Sequence, residues 1–395
     1  MGVRGHVPVY KSFNTFKKGT RIIKNNTSSL FSFLLEKKET AELINTFGPV
    51  IKRGKGPYLY DYDENRFVDF YLSEGSLLFG HSPPCLTKII KSWLGRGFSS
   101  GYMVASQNML SKKALRLLIN DDHKAGKWLF FGSSLEALLK AVSMIRFFGY
   151  NRPGVYMSDS VPPSEFPAKH AINMIDAGAV EAADFSDLDF IVLRLNKEIS
   201  NVQVKMLINK LKVNKPVVIS DETSFDSFIH VDNSKELKDQ LDVRVFGSWV
   251  SAGLSFGCVY VNEGFLQKEL KSKSFNDFFE IFLQGLPPLY KVKAAVECLK
   301  NVEKSGSYDK LLEKTKFFYN LLSHDFFALS GGFIYIKDGD FVLKDFSKKR
   351  SILLENGLYF PFSPESPIFL SYSHPDELLT KCALRINLVF SRFYR

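Results

Sequence analysis

The stretch "VFGSWVSAGLSFGCVYV", residues 245–261, joins two short apolar runs through a bend that contains three glycines. Alternation of apolar and polar residues over 243–246 predicts a β-strand before the bend, and the run 258–261 predicts a second strand after it. The glycines are Gly247, Gly253 and Gly257. Glycines at this spacing let a backbone pass close to another group. Ser248 lies at the start of the bend.

Upstream of the bend, short apolar runs alternate with helical patterns. The predicted strands are 127–131, 154–157, 189–195 and 216–220, and the predicted helices are 106–119, 134–148 and 201–213. This alternation predicts an α/β fold with a mostly parallel, doubly wound sheet. Residues 158–187 have turn residues and weak periodicity, which predicts loops with at most one short helix.

The two ends of the chain predict a second, smaller α+β domain. Residues 57–71 have the pattern of a β-hairpin, 289–304 begin a long helix, and the rest mixes helices with strands such as 331–337. The predicted organisation is a basic N-terminal arm (1–46), an N-terminal part of the small domain and dimer region (47–104), a large domain (105–300) and a C-terminal small domain (301–395).

Composition excludes several classes of protein. No apolar run reaches the roughly 18 residues that span a bilayer. The four cysteines show no paired spacing, which indicates a reducing, cytoplasmic location without disulfides or zinc. Residues 1–55 hold eleven Lys or Arg against three Glu, whereas the other 340 residues carry only +2 of the net +10. We interpret the arm as a solvated basic segment. Binding to nucleic acid or membrane, or an organelle transit peptide, is the less favoured interpretation.

Two predicted strand ends carry polar residues where ligands of doubly wound sheets bind. In "FFGSSLEA", Ser133 and Ser134 precede a helix, where they either help to bind a phosphate or simply cap the helix, and capping is favoured. In "VVISDETSF", Asp221 and Glu222 follow an apolar strand, so Asp221 is expected in a poorly solvated crevice. A carboxylate there needs a cofactor ring nitrogen, a structural Arg or Lys, or Mg²⁺ as its partner.

These strand ends and the glycine bend, in this order, resemble the class III, fold-type-I aminotransferases that depend on pyridoxal phosphate (PLP), and most of all glutamate-1-semialdehyde 2,1-aminomutase. The resemblance extends over most of the chain. It includes residues 47–84, "FGPVIKRGKGPYLYDYDENRFVDFYLSEGSLLFGHSPP", and residues 353–379, "LLENGLYFPFSPESPIFLSYSHPDELL". It implies a fold-type-I PLP transferase whose smaller domain comes from the two chain ends, PLP as cofactor, and dimers that share their sites. Asp221 matches the partner of the cofactor's pyridinium nitrogen.

Several cofactor contacts of that family are changed here. The family's phosphate loop has Ser-Gly-Thr, where this sequence has Ser133-Ser134-Leu135. The family's Tyr-His-Gly stretch has no counterpart, and the threonine that reaches a neighbouring subunit's phosphate matches Phe282. The resemblance therefore implies a weak or vestigial cofactor site at Ser133, Ser134, Asp221 and Glu222, and no metal site is predicted.

The largest departure is at the lysine that holds the cofactor. The resemblance places Ser248 at that position, and no lysine lies between Lys238 and Lys268. In the family this lysine forms the Schiff base and moves the proton, but a serine hydroxyl cannot form an imine. Ordinary transamination is therefore not expected, and no catalytic residue is assigned.

Four hypotheses follow from these departures. We favour a degenerate member, a pseudoenzyme that acts as a binding or partner subunit and binds PLP or pyridoxamine phosphate non-covalently at most, or not at all. A second hypothesis is an enzyme that uses either cofactor without a covalent bond on an amino or keto substrate, such as a sugar, with His230 or His81 as the base. A third is a hetero-dimer with an active paralogue rather than a homodimer. A basic nucleic-acid or membrane-binding protein is the fourth.

Overall fold

The computed structural model describes the chain in segments. They are residues 49, 51–96, 105–119, 126–158, 172–175, 181, 183–195, 200–232, 234–271, 287–337 and 346–393. Contacts divide the chain into two compact units. The large unit is Pro84–Tyr308, and the small unit combines the residues up to Pro83 with Asp309–Arg395. The domain boundaries after residues 46, 104 and 300 stay a prediction. The basic arm and Phe282 lie outside the described residues.

The described elements are short strands and helices of ordinary length. The strands are β1 (Ile51–Lys55), β2 (Tyr58–Asp61), β3 (Arg66–Asp69), β4 (Gly126–Phe131), β5 (Gly154–Ser158), β6 (Ile172–Ile175), β7 (Phe190–Arg194), β8 (Val217–Glu222), β9 (Val243–Phe246), β10 (Gly257–Asn262), β11 (Phe327–Ser330), β12 (Phe333–Ile336) and β13 (Leu358–Tyr359). The helices are α1 (Pro84–Leu94), α2 (Ala105–Ala114), α3 (Ser134–Phe147), α4 (Asn201–Asn214), α5 (Phe225–Asp232), α6 (Lys235–Lys238), α7 (Glu263–Leu270), α8 (Leu289–Lys304), α9 (Asp309–Leu321), α10 (Phe346–Glu355) and α11 (Asp376–Phe393).

The large unit contains a seven-stranded sheet in the order β4-β10-β9-β8-β7-β5-β6. Only β10 is antiparallel to its neighbours, so the predicted doubly wound, mostly parallel sheet is confirmed. The prediction of loops and at most one short helix over 158–187 was wrong at β6, which pairs in parallel with β5 at the edge of the sheet. Four residues without alternation are too short a run to reveal an edge strand.

Both faces of this sheet are buried, and alternate residues of each strand point to opposite faces. On β8, Val217 and Ile219 belong to the apolar cluster that includes α3, whereas Val218 belongs to the cluster on the other face, which includes α4. Asp221 therefore continues the α3 face, and Glu222 continues the α4 face.

The two helices that cover these faces begin at serine caps. The Ser133 side chain accepts a hydrogen bond from the Glu136 N–H at the start of α3. Ser200 and Gln203 form a reciprocal capping box at the start of α4. The caps satisfy N–H groups that have no partner within the first turn, so each helix begins where its strand connection ends.

The small unit brings the two chain ends into one sheet of order β1-β2-β3-β13. β13 pairs in parallel with β3, and β2 and β3 form the predicted hairpin with its turn at 63–65. A second hairpin, β11 and β12, accounts for the strand predicted at 331–337. Among the described helices, none combines the length and apolar character needed to cross a membrane.

Candidate functional site

Four of the residues predicted from sequence lie at the C-terminal edge of the large sheet. β4, β8 and β9 run in the same direction, so their C-terminal ends share this edge. Ser133 and Ser134 follow β4, Asp221 ends the α3 face of β8, and Ser248 follows β9 after one glycine. Ligands of doubly wound sheets bind at such edges.

Ser134 and Ser248 are brought together by a hydrogen bond. The backbone N–H of Ser248 donates to Ser134 Oγ at 3.1 Å, and Ser134 Oγ donates to the Phe256 carbonyl at 3.3 Å. Ser133 caps α3, as the favoured interpretation predicted. The N–H of Gly132 donates to the Glu136 carboxylate at 2.9 Å. The strand-to-helix loop therefore has partners within the chain at Gly132, Ser133 and Ser134.

The glycines of the bend allow close backbone approaches. A Cβ atom on Gly247 would lie 2.0 Å from the Thr223 carbonyl oxygen, and one on Gly257 would lie 2.4 Å from the Ser133 carbonyl oxygen. Gly253 has a φ of +90°, which favours glycine. Between these glycines, Ser248 opens a single 3₁₀ turn that ends at Ser251. The bend therefore presses against both the end of β8 and the start of α3.

Asp221 is fully buried, and both of its carboxylate oxygens have partners within the large unit. Oδ1 accepts hydrogen bonds from the Thr223 N–H at 3.0 Å and from Thr223 Oγ1 at 2.6 Å. Oδ2 accepts a hydrogen bond from the Tyr156 hydroxyl at 2.6 Å and lies 3.5 Å from Arg194 Nη1. The sequence left three kinds of partner open for this carboxylate: a cofactor ring nitrogen, a structural Arg or Lys, and Mg²⁺. In the structure its cationic partner is an arginine.

Arg194 lies at the end of β7, beside β8, and its side chain is 15% exposed. Burial opposes its charge, but the negative charges of Asp221 and Asp226 raise its pKa. Burial next to Asp221 raises the pKa of the fully buried Tyr156 hydroxyl well above its usual value. Arg194 therefore stays cationic and Tyr156 stays a hydrogen-bond donor.

Glu222 points to the opposite face of the sheet and is not part of this group. Arg244 of β9 donates to its carboxylate twice, from Nε at 2.7 Å and from Nη2 at 2.5 Å. Burial raises the pKa of Glu222, and Arg244 opposes that shift. The indole N–H of Trp249 donates to the Glu222 carbonyl at 2.9 Å. Glu222, predicted as a weak cofactor ligand, is held in a closed ion pair.

Sequence reasoning missed Arg194, Tyr156 and Thr223 as partners of Asp221. Arg194 was visible as the one basic residue in the predicted strand 189–195, but Tyr156 was indistinguishable from a core aromatic. The two histidines considered as bases have other contacts. His230 is buried in α5, 3.2 Å from the Leu195 carbonyl. In the small unit, His81 Nε2 lies 2.7 Å from Asp69 Oδ2.

The site can be tested for the cofactor that the family resemblance implies. A PLP ring nitrogen would need the carboxylate of Asp221, but each oxygen of that carboxylate already has two partners. The N–H of Gly132, which precedes α3, is bonded to Glu136. As they stand, these residues do not fit the ring nitrogen of PLP. The described residues contain no group of three or more His, Cys, Asp or Glu that could hold a metal ion.

Curated relatives of the chain are glutamate-1-semialdehyde 2,1-aminomutases. The aminomutase of Saccharolobus islandicus is 26% identical over an alignment of 175 positions that covers 39% of this chain and 39% of that protein. The chain thus aligns with well under half the length of these archaeal relatives. The aminomutase of Francisella philomiragia is 23% identical over an alignment of 395 positions that covers 85% of this chain and 89% of that protein. The chain matches no protein-family model.

Solved aminotransferase structures share the fold. The adenosylmethionine-8-amino-7-oxononanoate aminotransferase of Methanocaldococcus jannaschii matches with a TM-score of 0.74 and 15% identity over 93% of this chain and 99% of that one. A glutamate-1-semialdehyde aminomutase of Pseudomonas aeruginosa matches with a TM-score of 0.73 and 12% identity, over 96% and 95%. A variant of it with one lysine replaced by alanine, in complex with PMP, matches with a TM-score of 0.69 and 14% identity, over 93% and 94%. The chain therefore has the fold of the class III, fold-type-I PLP-dependent aminotransferases and is similar to the glutamate-1-semialdehyde aminomutases.

Proposed function

We propose that this chain is a degenerate member of that group, a pseudoenzyme that acts as a binding or partner subunit. The observation that carries the proposal is the position of Ser248. It directly follows the glycine after β9, at the edge shared with Ser134 and Asp221, where the resemblance expects the Schiff-base lysine. A serine hydroxyl there has no amine to form an imine and no basic nitrogen to move a proton.

The surroundings of Ser248 support the proposal. Its N–H is bonded to Ser134, and its carbonyl accepts hydrogen bonds from the Gly253 N–H at 2.9 Å and from Ser251 Oγ at 2.9 Å. A turn held by these bonds has a structural role that does not require a cofactor.

All four cysteines are free, and burial raises the thiol pKa of three of them, which supports a reducing, cytoplasmic location.

The test is a search for a covalent cofactor adduct. Purified protein is incubated with PLP and reduced with borohydride, and labelled peptides are mapped by mass spectrometry. We expect no imine absorbance band and no stoichiometric adduct in the unaltered protein or in Ser248→Lys. Ser255→Lys, an exposed position in the same bend, measures unspecific labelling. Lys291 is the described lysine to watch, because its Nζ donates to the Gly132 carbonyl at 3.1 Å. A stoichiometric adduct in the unaltered protein, at Lys291 or elsewhere, contradicts the proposal.

A partner role requires a second subunit. We propose a homodimer or a hetero-dimer with an active paralogue, because several of the matched proteins are named as enzymes of amino-group transfer and the resemblance implies shared dimer sites. Light scattering of the purified chain and co-purification with a co-expressed aminotransferase of the same organism test this. A chain that remains monomeric at micromolar concentration and captures no such paralogue contradicts the partner role.

The second candidate function is an enzyme that holds PLP or pyridoxamine phosphate without a covalent bond. One observation favours it: the aminomutase variant that lacks one lysine was solved in complex with PMP. Equilibrium dialysis with pyridoxamine phosphate separates the candidates. Saturable binding of one molecule per chain supports the second candidate, and absence of binding supports the pseudoenzyme.

A further inference from the structure

Both oxygens of the Asp221 carboxylate have partners at the C-terminal edge of the large sheet. The carboxylate has no exposed surface, and it receives three hydrogen bonds and one cationic contact. A buried carboxylate without a cation is unfavourable, so the cation beside it stabilises the fold. In this chain that cation belongs to the protein itself.

Strand order explains why Arg194 and Tyr156 reach Asp221. Leu193 of β7 is paired with Ser220 of β8, so the next residue of each strand, Arg194 and Asp221, lie side by side. β5 lies on the other side of β7, and Tyr156, on the same sheet face, reaches past β7 to Asp221 Oδ2. Arg194 and Tyr156 thus cover the carboxylate from the side where the sheet continues toward its β6 edge.

We propose that Arg194 and Tyr156 are a built-in replacement for the protonated ring of the cofactor. The guanidinium supplies the positive charge and the phenol the hydrogen-bond donor that a pyridinium N–H would bring to Asp221. The chain is then folded and electrostatically complete without a cofactor. This inference deepens the proposed pseudoenzyme function and rests on it, because it explains how the fold stays stable after cofactor chemistry is lost.

If Arg194 and Tyr156 replace the cofactor ring, a lysine at position 248 alone should not restore cofactor binding. In Ser248→Lys, Asp221 remains paired with Arg194, and the ring nitrogen has no partner. In Arg194→Ala, by contrast, Asp221 keeps Thr223 and Tyr156 but loses its cation. A pyridinium ring that enters the vacated space would then regain the lost interaction.

The experiment is thermal unfolding with and without millimolar pyridoxamine phosphate, which has no aldehyde to react with surface lysines. Arg194→Ala is compared with Arg244→Ala, a matched control at the neighbouring strand whose partner is Glu222. Both variants are expected to melt below the unaltered protein. Pyridoxamine phosphate is expected to raise the melting temperature of Arg194→Ala alone. The proposal is overturned if pyridoxamine phosphate raises the melting temperature of the unaltered protein equally, or does not raise that of Arg194→Ala.

A double-mutant cycle keeps the proposal testable if Arg194→Ala does not fold. Arg194→Gln, Asp221→Asn and the double variant are unfolded with urea. We expect the double variant to be more stable than Arg194→Gln, because the neutral amide no longer needs a cation. If the losses of unfolding free energy in the two single variants simply add up in the double variant, Arg194 is not the required partner of Asp221 and the proposal is overturned.

The two proposals can fail separately. Amino-group transfer by the unaltered protein would refute the pseudoenzyme function even if Arg194→Ala alone responds to pyridoxamine phosphate. An inactive protein in which Arg194→Ala behaves like Arg244→Ala would refute the replacement and leave the pseudoenzyme function in place.

Discussion

Asp221 and Glu222 are adjacent at the end of β8, and each lies beside an arginine of a neighbouring strand. Glu222 and Arg244 form a two-bond ion pair that is 4% exposed or less on both sides. Asp221 Oδ2 lies 3.5 Å from Arg194 Nη1, and Tyr156 and Thr223 donate hydrogen bonds to the carboxylate. Both carboxylates are buried, but the arginine beside Glu222 donates two short hydrogen bonds, whereas the contact at Asp221 is longer.

The two carboxylates are therefore held by their arginines in different ways. A bidentate arginine and carboxylate fix each other's geometry, and this is typical of a structural ion pair. At Asp221 the cation lies farther away and hydrogen-bond donors satisfy the carboxylate, as expected if Arg194 and Tyr156 replace a cofactor ring as we propose. The α4 face of β8 therefore carries a structural ion pair, and the α3 face carries the group on which the proposed replacement rests.

The largest effect is expected when the Glu222 pair is broken. Arg244→Ala leaves a buried carboxylate without a cation, which should lower the free energy of unfolding by about 3–5 kcal/mol. Urea unfolding followed by circular dichroism measures the loss. Arg152→Ala is the control, because Arg152 is 61% exposed and its pair with Asp189 should contribute at most about 1 kcal/mol. Equal losses in the two variants would show that the Glu222 pair is not structural.

The next effect concerns the glycine bend that presses on β8. Gly247→Ala would place a Cβ atom 2.0 Å from the Thr223 carbonyl oxygen, so the backbone must move. We expect a loss of about 3 kcal/mol in unfolding free energy. Gly95→Ala is the control, because no atom lies within 4 Å of a Cβ there. A Gly247→Ala protein as stable as the control would show that the bend does not hold the end of β8.

Tyr156→Phe tests the α3 face with a smaller change. The variant removes the only hydrogen bond from a phenol to Asp221 Oδ2 among the described contacts and should cost about 2 kcal/mol, the range for a buried bond to a charged group. Tyr150→Phe is the matched control, because its hydroxyl donates to Glu269 at 2.9 Å in a half-exposed position. The comparison between Asp221 and Glu222 loses its basis if Tyr156→Phe costs no more than Tyr150→Phe.

The sequence predicted the strands that carry this site better than the side chains that pair with Asp221. Short apolar runs bounded by turn residues located the strands of the large sheet except β6, and the apolar run before Asp221 correctly predicted that this carboxylate is buried. Its partners were not predictable, because Tyr156 is 65 residues away and reaches Asp221 only through the strand order β8-β7-β5. Strand order is a property of the whole sheet, whereas periodicity is a local signal.

The smallest effect is expected in the pH dependence at Asp226, which shares Arg194 with Asp221. Burial raises the pKa of Asp226, and the charge of Arg194 opposes that shift. Its pKa is therefore higher in the folded state than in the unfolded state. Above about pH 4, where the unfolded chain has lost this proton, the folded state still holds it. Stability should then fall as the pH rises through the window between the two pKa values.

Asp226→Asn removes this titration. Across that pH window, the unfolding free energy of the variant should therefore change by on the order of 1 kcal/mol less than that of the unaltered protein. Urea unfolding at a series of pH values measures the slope. Asp184→Asn is a control of opposite sign, because a hydrogen bond from the Ser186 N–H lowers the pKa of the exposed Asp184. If Asp226→Asn keeps the unaltered slope, Asp226 titrates as it does in the unfolded chain. Arg194 would then offset the whole effect of burial on the pKa of Asp226.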